Sequence, residues 1–354
     1  MQRHPDQITN AQRHEHEFKQ FWYVLAESRE LSHNTVLGRQ VLDEWLACFR
    51  ARDGRPVVLR DRCLHRNGRL SKGYARNGRL TCPYHGWTYD EEGTVAKMPA
   101  SGPANSSSKQ LCARIFESCE ADGYVYVRLV EGEKTSKPFT MPHHGETGWR
   151  SVRLKNRFAN TVGNCVENFI DVPHTAFVHR GIFRSPEGNR IMACVSRKGG
   201  QVHVTYNNEK RNLGSFSWFL NPRGQEIRHT DSFYMPNVTC VRYSLGEKRR
   251  YVITSQSVPV TDRETVVYTD ISYNFGPWSR GAAWLVRRQA QRVIDQDIQV
   301  LNEQREVIEK YGEDFHYGAP DLIHRYVESI REAIAQGVDP STLPEESKDV
   351  EFWV

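Results

Sequence analysis

The stretch RCLHRNGRLSKGYARNGRLTCPYHGWTYD, Arg62 to Asp90, constrains this chain more than any other. It places Cys63 and His65 in one cluster and Cys82 and His85 in a second, as C-x-H, sixteen residues, then C-x2-H. Two thiols and two imidazoles in two hairpin-like clusters, with glycines and basic residues between them, point to a bound metal. Two Cys and two His suit structural zinc. The split is unusual for zinc, because each cluster supplies one thiol and one imidazole, with the His after the Cys both times.

Composition narrows the setting. The chain has 354 residues, 38% hydrophobic and 26% charged, which is a globular composition long enough for two domains. Its net charge of +5 is too weak to imply nucleic-acid binding. No run of about 18 apolar residues offers a membrane span. The N-terminus, MQRHPDQITNAQRHEHEFKQ, lacks the apolar segment of a secretory signal. Cys48, Cys112, Cys194 and Cys240 show no partner spacing, so a reduced, cytoplasmic protein is expected rather than a disulfide framework. The basic residues Arg60, Arg62, Arg66, Arg69, Lys72, Arg76 and Arg79 stand against Asp61 alone. Beside a metal site such a cluster can attract an acidic protein partner, with Arg66 and Arg69 as docking candidates.

The pattern along the chain predicts an α+β protein. After an N-terminal extension (residues 1–20), FWYVLA, WLACFR, RPVVLR, RLTCPY and GYVYVRLV read as strands of a small all-β domain (residues 21–135). SGPANSSSK reads as an exposed loop and residues 136–148 as a linker. In the second domain (residues 149–354), NCVENFIDVPHTAFVHRGIF is partly helical. MACVSRK, QVHVTYNN, SFYMPNVTCVRYSL, RRYVITSQSVPV and TVVYTDISYNF then predict a curved antiparallel sheet. A long amphipathic helix follows over Trp284–Lys310, and a shorter one near Ile323–Ala335. No G-x-G-x-x-G or Walker loop is present, so no nucleotide site is expected.

One thiolate and one imidazole from each loop is the ligand pattern of a Rieske [2Fe–2S] centre, in which two Cys hold one iron and two His the other. Such a centre relays electrons and needs somewhere to deliver them. ENFIDVPHTAFVH supplies Asp171, His174 and His179. On a regular helix, positions five apart point about 140° from each other, so His174 and His179 converge only if the helix breaks, and Pro173 stands beside them. Two histidines and one carboxylate form the facial triad of non-haem Fe(II) oxygenases, with open positions for O2. In the long helix the apolar stripe Ala290, Val293, Ile294, Val300, Leu301, Val307 and Ile308 carries Asp297 with it, whereas Asp295 points elsewhere. A carboxylate facing a core needs a cation or donors, which makes Asp297 the third ligand candidate and Asp295 a distant second.

C-L-H-R-N, L-S-K-G and C-P-Y-H-G-W-T-Y-D resemble the Rieske segment of the ring-hydroxylating, or Rieske non-haem iron, oxygenases. E-N-F-I-D-V-P-H-T-A-F-V-H and D-I-Q-V-L-N-E-Q resemble that family's mononuclear iron motif and its carboxylate-bearing segment. The resemblance implies an N-terminal Rieske β-sandwich and a helix-grip (START-like) catalytic domain. It implies Cys63, His65, Cys82 and His85 on the cluster, and His174, His179 and Asp297 on the iron. Asp171 is implied not as a ligand but as a bridge between His85 of one subunit and His174 of its neighbour, in a head-to-tail homotrimer. One departure is FANTVGNCVEN, with Cys165 two places before Glu167, where many members carry a tryptophan and a lysine. HTAFVHRGIFR resembles a subgroup acting on aromatic sulfonates, polycyclic alkaloid-like compounds and other xenobiotics.

The expectation is therefore a terminal oxygenase α subunit in an α-only, monooxygenase-like branch. It would use O2 and electrons from a separate NAD(P)H-dependent reductase, with or without a ferredoxin, to hydroxylate or demethylate an aromatic, polycyclic or heterocyclic small molecule. The alternative chemistry is cis-dihydroxylation. A non-enzymatic Rieske electron carrier and a zinc-stapled ligand-binding protein are readings from other classes. Phe177, Phe219, Tyr234 and Tyr273 are aromatic candidates for the pocket, each with ordinary core as the plainer role.

Overall fold

Short β-branched and aromatic runs, broken by Gly and Asn turns, commit the N-terminal third to strands. A computed structural model describes residues 17–102, 107–130, 137–180, 182, 190–207, 226–246 and 249–354. Most of the 1–20 extension, the centre of the SGPANSSSK loop and Phe219 lie outside the described residues. The described chain forms two compact units, divided between Thr140 and Met141.

The first unit holds β1 (Tyr23–Glu27), β2 (Leu37–Val41), β3 (Glu44–Arg50), β4 (Pro56–Arg60), β5 (Tyr74–Arg76), β6 (Arg79–Thr81), β7 (Thr88–Tyr89), β8 (Thr94–Lys97), β9 (Ser108–Cys112), β10 (Ile115–Ala121) and β11 (Tyr124–Arg128). They form a six-stranded sheet, β1-β11-β10-β4-β3-β2, and a five-stranded sheet, β5-β6-β7-β8-β9. Phe49 and Leu59 of the first sheet share one core with Leu80, Tyr89 and Val95 of the second. Each such aliphatic side chain, fully buried, stabilises by about 1.5–3 kcal/mol relative to exposure. The RLTCPY segment is strand only as far as Thr81. Beyond it the backbone turns, with the Gly86 amide donating to the Cys82 carbonyl, so the second Cys/His cluster occupies a loop rather than a strand. Ser108 and Lys109, expected in a loop, begin β9.

The described residues of the second unit form an eight-stranded antiparallel sheet with helices. Its strands are β12 (Arg150–Phe158), β13 (Arg190–Lys198), β14 (Gln201–Asn207), β15 (Ile227–Tyr234), β16 (Val238–Leu245), β17 (Arg249–Thr261), β18 (Glu264–Asn274) and β19 (Glu346–Trp353). The order is β12-β18-β17-β16-β15-β14-β13-β19. SFYMPNVTCVRYSL, expected as one segment, breaks at the cis Met235–Pro236 bond into β15 and β16. The C-terminal β19, which no expectation placed, pairs with β13 at the sheet edge.

Among the described residues, α1 (Val162–Asn168), α2 (Ser279–Tyr311) and α3 (Leu322–Ala335) accompany the sheet. Along α2, Ala282, Val286, Ile294, Asp297 and Leu301 are buried, at spacings of three, four and eight that keep one face on the sheet. Its apolar side chains join Phe158, Tyr251, Ile271 and Tyr273 in one core. Val300 and Val307, expected on this stripe, are exposed. The stripe drifts round the helix because its turn of 3.6 residues is not a whole number.

Candidate metal centres

The first Cys/His loop is tied down from both ends by one carboxylate. Asp61 is buried, and it accepts hydrogen bonds from the Ser71 amide at 2.6 Å, the Ser71 hydroxyl at 2.5 Å and Arg69 Nε at 2.5 Å. Within the loop, the Cys63 amide donates to the Gly68 carbonyl at 2.8 Å and the Asn67 amide to the Cys63 carbonyl at 3.0 Å. The second loop repeats this scheme, with the Cys82 amide donating to the Trp87 carbonyl at 2.8 Å. Gly86 there adopts φ +71°, a left-handed conformation open to glycine. A Cβ on Gly68 would lie 3.2 Å from Cys82 Sγ, a tight contact that reflects how closely the two loops approach.

These turns bury both thiols and leave both imidazoles exposed at the tips. The His65 and His85 rings lie 4.5 Å apart, and His65 stacks on Trp87. Tyr89 supplies a hydroxyl 3.2 Å from Cys63 Sγ and accepts from the Leu64 amide at 2.9 Å. Burial, and then the neighbouring Cys63, push the Cys82 thiol up. Two apposed buried sulfurs backed by a hydroxyl, with two imidazoles side by side at the tip, fit a two-iron cluster ligated by sulfur on one side and nitrogen on the other.

The basic cluster is less uniform than its sequence. Arg69 is bound to Asp61 and lies over the Trp45 ring at 3.8 Å. Arg60 grips Glu44 through two hydrogen bonds of 2.7 Å. Both charges are therefore met within their own domain, and Arg69 is a poor docking candidate. Arg66 is exposed.

The second centre depends on a helix that stops early. Thr161 caps α1 by accepting from the Asn164 amide, and α1 ends at Asn168. A 3-10 turn follows at Pro173–Ala176, and the Val178 amide closes back onto the His174 carbonyl at 2.8 Å. This break swings the two rings together: His174 Nε2 and His179 Nε2 lie 3.3 Å apart. Asn160 holds the segment against α2, donating to the Leu301 carbonyl and to Gln304 Oε1 at 2.6 and 3.0 Å. Asp297 thereby meets the pair, its Oδ1 at 3.1 Å from His179 Nε2 and 3.6 Å from His174 Nε2. The three ligand atoms lie within 4.8 Å of one another. Asp297 Oδ1 is buried and accepts no hydrogen bond, an orphaned oxygen that a cation would satisfy. Asp295 faces solvent and accepts from Gln291.

The far nitrogens of both imidazoles are engaged. Asp171 Oδ2 lies 3.1 Å from His174 Nδ1, and Gln296 Oε1 lies 2.9 Å from His179 Nδ1. An acceptor at Nδ1 fixes the tautomer and turns Nε2 inward. Burial alone would raise the Asp171 carboxyl, but the hydrogen bond and charge of His174, with the charge of His324, hold it below the usual range. At His179 burial works against the imidazolium, yet the Asp297 carboxylate prevails and raises its proton affinity. Cys165, where the sequence departs from the family pattern, is fully buried, and burial pushes its thiol up to about 12. Burial, and then the Glu328 carboxylate, push Glu167 up to about 7.

A cavity of about 100 Å3 opens onto these side chains. His174, His179 and Asp297 line it together with β15, β16 and β17, and its aromatic members are Phe169 and Tyr243. The aromatic residues singled out by sequence do not line it among the described residues: Phe177 is 69% exposed and Tyr273 belongs to the core. Sequence reasoning also missed Gln296, His229 and Asp231. For the last two a signal existed: Ile227, His229, Asp231 and Phe233 alternate onto the buried face of β15.

Residues 21–112 match the family model described as Rieske [2Fe-2S] domain, and residues 160–325 match the vanillate O-demethylase oxygenase C-terminal domain. The chain is 32% identical over 168 residues to the chloroplastic chlorophyllide a oxygenase of Oryza sativa subsp. japonica, covering 47% of this chain and 29% of that protein. It spans less than a third of the chlorophyllide a oxygenases it matches. It is 29% identical over 283 residues to methylxanthine N1-demethylase NdmA of Pseudomonas putida, covering 72% of this chain and 78% of that protein. Over 186 residues it is 34% identical to the oxygenase component of dicamba O-demethylase from Stenotrophomonas maltophilia, covering 52% and 54%. The solved structure of NdmA with caffeine superposes with a TM-score of 0.79 at 22% identity, over 95% of this chain and 98% of that one. Dicamba monooxygenase bound to dicamba gives 0.76 at 23%, over 90% and 98%. At these identities the two structures share the fold.

Proposed function

This chain belongs to the Rieske non-haem iron oxygenases, and from that premise we propose that it is the terminal oxygenase of a multicomponent system. Its reaction is monooxygenation, hydroxylating or demethylating an aromatic, polycyclic or heterocyclic small molecule. Hydroxylation of a methyl group on oxygen or nitrogen gives an unstable adduct that releases formaldehyde. One oxygen atom of O2 enters the substrate, and two electrons and two protons carry the other to water. The observation that carries the reading is the convergence of His174, His179 and Asp297 at a cavity wall, with one carboxylate oxygen left orphaned.

In this proposal Cys63, His65, Cys82 and His85 hold the [2Fe–2S] cluster, and His174, His179 and Asp297 hold ferrous iron. The cluster supplies electrons and the iron supplies O2 activation. The protein's own work is orientation. Gln296 fixes His179 and Asp171 fixes His174, each from the Nδ1 side. Phe169, Val241, Tyr243, Ile253 and Val293 give the substrate an apolar seat that excludes water. Asp171 also stands as the bridge to His85 of a neighbouring copy in a head-to-tail trimer, a heterologous contact that closes into a ring. Electrons come from a separate reductase in this proposal, and exposed Arg66 is the proposed contact for an acidic donor. Eight free thiols suit a reducing compartment such as the cytoplasm. Among the described residues no helix is long and apolar enough to cross a membrane.

The test is the visible absorption and EPR spectrum of the purified protein with its iron and zinc content. A red-brown protein with about three irons per chain and a reduced Rieske signal is expected. Two irons per chain would reduce the protein to an electron carrier. A colourless zinc protein would remove the oxygenase altogether. Turnover with a surrogate reductase and isotopically labelled O2 then counts the atoms incorporated, and two atoms in the product would overturn monooxygenation.

A further inference from the structure

The sheet wall of the cavity carries a polar group that oxygen activation does not use. Side chains on this wall run in rows across the strands. One row reads Val204, Asp231, Val241, Ile253 and Ile271, a single carboxylate among aliphatic neighbours. Asp231 and His229 are each 2% exposed. Asp231 Oδ1 lies 2.9 Å from His229 Nε2, and Oδ2 accepts the Tyr206 hydroxyl at 2.9 Å. The His229 ring is stacked between Tyr206 and Tyr243, with centroids 4.4 and 4.2 Å away.

Such a network could serve only to hold β14, β15 and β16 in register. Its placement argues for more. His229 and Asp231 line the cavity, while Tyr206, which supports them, is not among its lining residues. A carboxylate buried in the one aliphatic row of this wall, beside a reactive centre, is costly, and a binding role explains its presence there. The described lining carries three carboxylates, Asp171, Asp231 and Asp297, and no lysine or arginine. Asp171 and Asp297 are committed to the iron-site histidines. Asp231 pairs with His229 at 2.9 Å, and it is the one carboxylate of the described lining that is not held to an iron-site histidine. Two of its hydrogen bonds are made by protein, and a carboxylate has about four lone-pair sites, so it can accept another.

We propose that Asp231, steadied by His229 and Tyr206, sets the substrate class: a flat aromatic compound, uncharged or cationic, with an N–H or O–H group that donates to this wall. Carboxylates and sulfonates are rejected by like charge in a poorly hydrated space. The inference rests on the oxygenase reading of the same cavity, and it runs against the aromatic sulfonates that HTAFVHRGIFR suggests. The Phe169 and Tyr243 rings select the flat body, and Asp231 selects the charge of its substituent.

The test is equilibrium binding to the intact, iron-loaded chain, read by calorimetry, with three probes that share a methoxyphenyl body and differ in the charge and N–H donors of one substituent: meta-methoxybenzamide, meta-methoxybenzylamine and meta-methoxybenzoate. The amide and the amine should bind at least about tenfold more tightly than the benzoate. Asp231→Asn should compress that ratio at least about fivefold, and Tyr206→Phe, which keeps the charge, should preserve the order. Benzoate binding as well as the amide and amine, no binding of either of those two, or an unchanged ratio in Asp231→Asn would each overturn the proposal. The wild-type ranking decides even where a variant folds poorly. Iron content and EPR on the same samples separate the two readings. Selective binding by a protein without iron would sink the oxygenase and leave the charge selection standing. An iron-loaded protein that prefers benzoate would do the reverse.

Discussion

The proposed cluster site takes all its ligands from between residues 63 and 85, on two turns whose tips expose both histidines. The proposed iron site draws on residues 174, 179 and 297, and brings them together in a buried wall. The first is shaped by local backbone bonds: Cys63 to Gly68, Cys82 to Trp87, and Asp61 across the loop base. The second is assembled by tertiary structure, with a broken helix, an Asn160 anchor and the drift of α2 all needed to place three atoms. A site of the first kind tolerates damage elsewhere, provided its loops close. A site of the second kind is sensitive to any shift of the helix against the His-bearing turn.

The largest effect should come from removing one ligand in each region. His179→Ala is expected to abolish mononuclear iron and turnover, a loss beyond the roughly 10- to 100-fold typical of an outer partner. The reduced Rieske signal should persist. Cys82→Ser should do the converse, bleaching the visible spectrum while leaving iron at the other site. Metal analysis with EPR reads both, and loss of both metals from either variant would break the independence of the two regions.

Asp171→Asn sharpens the comparison next. Its carboxylate accepts at His174 Nδ1 and also at the His174 amide. If it orients the imidazole and conducts between subunits, turnover should fall about 10- to 100-fold with both metals retained. If it merely caps the turn, stability should fall and single-turnover electron transfer should survive. Stopped-flow oxidation of the reduced cluster in the presence of substrate, beside a melting curve, distinguishes the two.

These two regions also differ in how far the chain text reveals them. The pairing of two Cys/His turns was legible because their spacing is local, although RLTCPY leaves the strand after Thr81. Asp297 was legible from helical periodicity, and Pro173 announced the break between the histidines. The stripe that pointed to Asp297 was nonetheless partly wrong, since Val300 and Val307 turned out exposed. Helix period fixes a face over two or three turns, and tertiary packing fixes it beyond that. Gln296 stayed hidden because one side chain beside a ligand has no periodic signature. β19 stayed hidden because ESKDVEFW is charged, and only an edge position next to β13 makes it a strand. His229 and Asp231 stand just before the SFYMPN segment expected as strand, and only the alternation of β15 puts them on its buried face.

Arg69→Ala tests the loop base. It strips a partner from buried Asp61, which keeps its two bonds from Ser71. A loss of about 1–3 kcal/mol is expected in denaturant unfolding of the N-terminal transition. A neutral result would mean that the Ser71 bonds alone hold the first Cys/His loop.

Glu167 offers a pH-dependent contrast in the second region. Its folded pKa of about 7 lies above the ordinary carboxyl value, so the folded state holds the proton more tightly than the unfolded chain. Stability therefore falls as pH rises from the ordinary value through about 7, and Glu167→Gln should flatten that slope. By linkage the gain above neutrality is about 1–3 kcal/mol, kept below the full shift because the side chain is partly solvated and Arg331 opposes the effect. In the metal-free protein Asp171, four residues on, runs the opposite way: with its carboxyl held below the usual range beside His174, it adds stability that is lost as pH falls into the acid range. Urea melts across pH of the metal-free wild type and both variants should show slopes of opposite sign, and slopes of the same sign would sink the pairing.

The smallest effect separates the exposed charge from the engaged one. Arg66→Glu touches no internal partner that Arg69 would miss, so stability should change by less than about 0.5 kcal/mol. Reduction by an acidic ferredoxin should slow about two- to fivefold at low salt and converge with wild type at high salt, as a screened surface contact does. A salt-independent decrease would place the effect in the loop geometry instead. Then the exposed tip, like the buried wall of the second site, would depend on internal packing, and the contrast between the two regions would narrow to the span of sequence each one uses.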